Sequence, residues 1–91
     1  MNPVINNPTA QRFELATSGH LAVIEYRHAH GVFTLTRTYV PVELSGQGIG
    51  SALTQGTLDL IRASGERIIP QCSFISAFIK RHPEYAALVA P

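Results

Sequence analysis

Apolar and polar residues follow a strand-like pattern through the first half of the chain and then change period. Gln11 to Ala16 mixes the two and stops at the turn pair Ser18-Gly19. Leu21 to Arg27 (LAVIEYR) is rich in β-formers and ends at His28-Ala29-His30-Gly31. Val32 to Val40 (VFTLTRTYV) is dense in β-branched and aromatic residues, which pack well on a pleated surface. Segments of this kind joined by short turns predict an antiparallel meander. Strict alternation along the last one sends Phe33, Leu35, Arg37 and Tyr39 one way and Val32, Thr34, Thr36, Thr38 and Val40 the other. Apolar residues on both faces at its start predict a central strand. Pro41 has no amide donor and ends the run.

From Gly48 to Ser64 the period becomes helical. Ile49, Ala52, Leu53 and Leu60 share one stripe, opposite Thr54, Gln55, Asp59 and Arg62. Gly65 stands where a left-handed cap closes a helix. Arg67 to Gln71 is a short buried strand. Ser73 to Arg81 predicts a second helix, with Ser73 as its N-cap and Phe74, Ala77 and Phe78 on one stripe. His82-Pro83 stops it, and Glu84 to Val89 forms a last helical turn. The order β-β-β-α-β-α predicts an α+β fold: a mixed, mainly antiparallel sheet with helices packed on it.

Composition narrows the picture. The chain has 91 residues, 45% hydrophobic and 14% charged, enough apolar surface for one folded domain and room for no second. Residues 1–10 (MNPVINNPTA) read as a flexible tail, and residues 11–91 as the single domain. Lys and Arg total 7 and Asp and Glu 6, a net charge of +1. That balance argues against a nucleic-acid binder, which carries a clustered basic excess. One cysteine cannot form an internal disulfide, so a reducing compartment is expected. No apolar run approaches the roughly 20 residues that span a bilayer. The N-terminus has no signal-peptide pattern. A cytoplasmic protein with no membrane partner is the expectation.

The stretch richest in chemistry is Val40-Pro41-Val42-Glu43-Leu44-Ser45-Gly46-Gln47-Gly48-Ile49-Gly50-Ser51. A strand leads into a loop with glycine at every second position, and the loop opens a helix. Bare amides at a helix N-terminus make a phosphate cradle; the competing reading is a tight turn and nothing more. The P-loop pattern fails for want of a Lys before Ser51. The dinucleotide fingerprint fails for want of its third Gly and an early βαβ unit.

These residues resemble the acetyl-CoA pyrophosphate motif of the GNAT superfamily of N-acetyltransferases. Further on, Pro70-Gln71-Cys72-Ser73-Phe74-Ile75 and Lys80-Arg81-His82-Pro83-Glu84-Tyr85 resemble the signature of its short, single-domain branch. The resemblance runs from residue 11 onward. It implies acetyl-CoA as acyl donor and an amine as acceptor, with no metal. It implies that Tyr39, Val40 and Val42 pair with the pantetheine arm. It implies that Gly46, Gln47, Gly48, Ile49, Gly50 and Ser51 hold the pyrophosphate. The thioester then lies between the strand ending near Val40 and the one ending near Cys72. An acyl-CoA-binding module without efficient transfer is the alternative.

The chain departs from that pattern in three places. Ser45 stands where Arg or Gln is usual, and Arg37 and Tyr39 stand where the short branch commonly has His and Glu. Amide-mediated binding survives the first change; a carboxylate base is missing at the last. Cys72 reads either as a catalytic thiol or as a small buried residue. Tyr85 reads either as the acid that returns a proton to the CoA thiolate or as packing. His28 and His30 lack the third ligand a metal needs.

Overall fold

The computed structural model describes residues 2–91; Met1 lies outside the described residues. The chain runs β1 (Ile5–Asn7), β2 (Arg12–Thr17), β3 (His20–Ala29), β4 (Val32–Tyr39), α1 (Ile49–Ser64), β5 (Arg67–Pro70) and α2 (Ser73–Arg81). Short 3₁₀ turns follow β4 (Val42–Leu44) and α2 (Pro83–Leu88). The sheet order is β1-β2-β3-β4-β5. The first four strands are antiparallel, and β5 joins β4 in parallel after the α1 crossover. The expected α+β fold with a mixed, mainly antiparallel sheet is what forms.

One hydrophobic cluster joins the layers. Phe13, Leu15, Ile24, Leu35 and Ile68 from the sheet meet Leu53, Leu58 and Ile61 from α1 and Ile75 and Phe78 from α2. The shortest extent of the molecule is 20 Å, the thickness of one sheet and one helical layer at about 10 Å each. The other sheet face carries charged pairs, Arg12 with Glu14 and Arg37 with Glu25.

Four expectations are corrected. The N-terminal segment is not a tail throughout, because β1 pairs with β2 from Ile5↔Glu14 to Asn7↔Arg12. Behind it, Val4 presses on Gly56 so closely that a Cβ there would overlap the valine. Second, the faces of β4 do not alternate evenly. Glu25 pairs with Arg37 but Tyr26 pairs with Leu35, so Thr36 is an extra residue. Such a bulge reverses the facing of everything beyond it. Arg37 and Tyr39 therefore face away from the core, opposite to Phe33 and Leu35. Thr36 Oγ1 donates to the Glu25 carbonyl at 3.2 Å across the bulge.

Third, the buried faces of the helices are rotated from the predicted stripes. In α1 the buried set is Ile49, Leu53, Thr54, Thr57, Leu58 and Ile61, while Leu60 is exposed. In α2 it is Ile75, Phe78 and Ile79, while Phe74 is partly exposed. Fourth, the N-cap of α2 is Cys72, not Ser73. β-branched Thr packs like Val once its hydroxyl is satisfied, and Thr54 Oγ1 donates to the Gly50 carbonyl at 2.8 Å.

Thr57 has no such partner: its buried hydroxyl lacks a hydrogen bond among the described residues. A buried unpaired hydroxyl costs about 1–3 kcal/mol, and replacing it by a methyl of the same shape removes that cost. Thr57→Val is expected to raise unfolding free energy by about 1 kcal/mol, read as a higher urea midpoint at unchanged slope. A lower midpoint would show that the hydroxyl has a partner.

Candidate functional site

The glycine loop begins where Pro41 turns the chain out of β4. Leu44 anchors the following turn in the core, and the Ser45 amide donates to the Val42 carbonyl at 3.0 Å. Gly48 is the N-cap of α1 with φ +71°, a left-handed conformation that L side chains resist. No side chain caps this end, and no acidic residue lies in the first turn. The amides from Gln47 to Ser51 have no hydrogen-bond partner among the described residues. A row of unpaired N–H groups at the positive end of a helix 16 residues long suits an anion. Gly50 has a separate reason to lack a side chain: a Cβ there would lie 2.9 Å from the Phe74 ring. Ile49 buries its side chain in the core, so only its main chain is available to a ligand.

Beside the loop, β4 and β5 part. Their parallel pairing runs from Val32↔Arg67 to Leu35↔Pro70 and stops. The Cys72 amide still donates to the Leu35 carbonyl at 3.0 Å, and α2 then carries the chain away. Beyond Leu35, β4 continues to Tyr39 without a strand partner on that side among the described residues, leaving a gap between the diverging strand ends. Cys72 and Thr38 face each other across it, Sγ to Oγ1 at 3.3 Å. Burial pushes the Cys72 thiol up, but the Thr38 hydroxyl and the backbone amides of Ile75, Phe74 and Thr38 outweigh it and hold it below the ordinary value. The thiol stands at the N-terminus of α2, where the dipole favours a thiolate.

The other predicted residues are distributed around this gap. Val40 is half-buried against the core, and Val42 is open to solvent. Gly46, Gln47 and Ser51 are exposed along the loop. Tyr39 lies on the outward face, where the Arg37 guanidinium sits 5.3 Å over its ring and pairs with Glu25 at 3.3 Å. Glu43 points toward His20, 4.0 Å away. Sequence reasoning missed Thr38 and His20; only the bulge and the β2–β3 turn bring them here.

Tyr85 does not join the site. Its hydroxyl donates to Asp59 Oδ1 at 2.7 Å, and Arg62 covers its ring at 5.0 Å. Asp59 is far along α1, about 15 Å from the loop at 1.5 Å per residue. The Tyr85 proton expected at the thioester is instead directed at Asp59. Arg62 is occupied by Asp59 and Tyr85 rather than by the loop. His28 pairs with Glu66, and His30 lies in the β3–β4 turn.

The family model for the GCN5-related N-acetyltransferase matches residues 12–88. The chain belongs to this family. The fold of this acetyltransferase domain is also similar to that of a GCN5-like protein from Staphylococcus aureus, a candidate N-acetyltransferase solved by NMR in solution. The TM-score is 0.71 at 24% identity, covering 96% of this chain and 86% of the other. Among the described residues no helix is long and apolar enough to cross a membrane.

Tyr85 supplies a pH prediction. Burial first, then the Asp59 hydrogen bond and charge, raise it from the ordinary 10.0 to about 12. The native state therefore holds this proton more tightly than the unfolded chain. The resulting stability is complete below pH 10 and is lost as pH rises through 10 toward 12. Urea unfolding at pH 8 to 12 is expected to show Tyr85→Phe less stable than wild type at pH 8, with the difference shrinking as pH rises. A constant difference would mean that Tyr85 is not ionised in either state over that range.

Proposed function

We propose that this domain transfers an acetyl group from acetyl-CoA to an amine. The observation that carries the reading is the pairing of two features on consecutive elements: unpartnered amides at the α1 N-terminus and an open β4 edge beside Cys72. When bound, acetyl-CoA supplies an activated acyl group as a thioester. The amides of Gln47 to Ser51 hold the pyrophosphate, with Gly46 beside them. The main chain of Tyr39, Val40 and Val42 orients the pantetheine arm, and main-chain donors need no particular side chain at Ser45. An amide near Val40 stabilises the carbonyl oxygen as negative charge develops on it. The acceptor nitrogen attacks the carbonyl carbon, the C–S bond breaks with CoA leaving as its thiolate, and the nitrogen gives its extra proton to water, from which the thiolate is protonated.

The proton's exit is the weak step. A positioned general base typically contributes 10²–10⁴-fold. Tyr39 offers no carboxylate, and Arg37 is paired with Glu25. Glu43 is turned toward His20. The amine therefore arrives neutral or loses its proton to water. Cys72 has two roles open to it: a nucleophile that carries the acyl group first, or a wall of the gap. The absence of the carboxylate favours one second reading, an acyl-CoA-binding module with little transfer.

Calorimetric titration with CoA and acetyl-CoA tests binding. Saturating acetyl-CoA is expected to slow alkylation of Cys72; an equal rate with and without ligand would count against its place beside the thioester. Release of free CoA thiol with a panel of amines tests transfer. In Cys72→Ala, retained binding with lost transfer identifies a nucleophile, and retained transfer identifies a wall. No thiol release with any amine, despite tight binding, selects the binding module.

The rate is expected to rise with pH as the neutral amine fraction grows, without a bell-shaped optimum near neutrality. A wild-type optimum near pH 7 that disappears in His20→Gln would instead identify His20 as the base.

A further inference from the structure

A cavity lies at the opposite end of α1 from the glycine loop. It encloses about 410 Å³ between β1, the sheet and the last turns of α1, within the size range of small-ligand pockets. Its walls are apolar: Val4, Ile5, Phe13, Phe33, Leu60 and Ile61. Asn6, Ser64 and Glu66 are the polar residues that line it.

The hydrogen bonds of these three decide what the cavity accepts. Asn6 Oδ1 already takes the Tyr26 hydroxyl proton at 2.7 Å. Ser64 Oγ donates to the Ile61 carbonyl at 2.7 Å and accepts from the Glu66 amide at 3.3 Å. Glu66 uses one carboxylate oxygen, Oε2, on His28, whose ring is stacked on Phe33 at 4.1 Å. Glu66 Oε1 has no partner among the described residues. Among the described residues Glu66 is the only lining residue with a formal charge, and its side chain is 28% exposed. A ligand that fits has an apolar body for the aromatic and aliphatic walls and a cationic donor for that free oxygen.

We infer that this cavity is a binding site for a small arylalkylammonium ion, its ring against Phe13, Phe33 and Leu60 and its ammonium on Glu66. This is not the acceptor subsite of the proposed transfer. Phe33 lies near the start of β4 and Val40 just beyond its end, about 23 Å apart at 3.3 Å per residue. The inference stands whether or not the glycine loop holds CoA.

The test uses the intact ¹⁵N-labelled chain and three probes of similar shape: phenethylammonium, 2-phenylethanol and 3-phenylpropionate. Phenethylammonium is expected to give saturable NMR shift changes at Asn6, Phe33, Leu60, Ser64 and Glu66 and none at Gly46 to Gly50. The alcohol is expected to bind more weakly and the carboxylate weakest. Glu66→Gln keeps a hydrogen-bonding group for His28 and removes the charge. It is expected to weaken phenethylammonium about fivefold or more while leaving the alcohol unchanged. Leu60→Trp, on the exposed rim, is expected to weaken all three by filling the cavity. Failure of phenethylammonium to saturate, equal binding of the carboxylate, no effect of Glu66→Gln, or shifts centred on the glycine loop would each overturn the assignment. Because the readout is residue by residue, an unresponsive Gly46–Gly50 segment also keeps this result separate from any failure of CoA binding.

Discussion

β4 has two neighbours that it cannot match at once, and the candidate site exists because of that mismatch. On one side β3 pairs along nearly its whole length, but only after β4 gives up Thr36 as an extra, unpaired residue. On the other side β5 is four residues long and ends at Pro70. Hydrogen bonding therefore holds one edge of β4 to Tyr39 and releases the other edge beyond Leu35. A strand in this state exposes main-chain donors and acceptors in the middle of a sheet, where they are normally consumed. The bulge adds local twist, which turns Thr38 toward Cys72 and Arg37 and Tyr39 outward. A single inserted residue thus decides which side chains reach the gap and which reach solvent.

The loop must be held against that edge for the two to act together, and α1 does the holding. Its N-terminal half is fixed by Ile49 and Leu53 in the core and by Phe74 lying over Gly50. Its C-terminal half is braced from outside by Tyr85 and Arg62 around Asp59. Val4 crosses it at Gly56, so the N-terminal segment is part of the same clamp. Gly56 weakens the helix intrinsically, but only a residue without a Cβ lets the segment approach. In a chain this small, where little core is available, such contacts at the rim matter more than in a larger domain.

How much of this was legible in the sequence follows from which rules are local. Strand and helix periods, the Gly65 cap and the glycine loop are local patterns, and the elements formed within a residue or two of their expected bounds. The bulge is not local: nothing in VFTLTRTYV marks Thr36, because the extra residue is defined only by counting against β3. Even alternation then put Arg37 and Tyr39 on the wrong face. The buried face of α1 is rotated from its predicted stripe because Thr54, which reads as polar, is buried. The β1 segment, between Pro3 and Pro8 and rich in Asn, has the composition of a tail. Its signal was indirect, a glycine inside a helix with no local reason to be there. Tyr85 stood in a motif that pointed to the site, while its partner Asp59 lay 26 residues away.

Binding and turnover depend on different parts of the chain, and this sequence separates them. The groups that suit a pyrophosphate are main-chain amides, so they follow from backbone shape: the left-handed turn at Gly48, the missing Cβ of Gly50 and the bulged strand. Substitution at Ser45 leaves that shape alone. The groups that move a proton are side chains, and the positions from which they act are set by the bulge. With Arg37 neutralised by Glu25 and Tyr39 lying under it, the outward surface of β4 offers no carboxylate beside the gap. A thiol held below its ordinary value does stand in the gap, and a thiolate is better suited to act as a nucleophile than as a base for an amine. The chemistry then depends on the acceptor itself: an amine that is neutral at the working pH reacts without help, whereas a strongly basic one arrives charged and needs a group this surface lacks. Under the proposed transfer, weakly basic acceptors are the substrate class consistent with this arrangement.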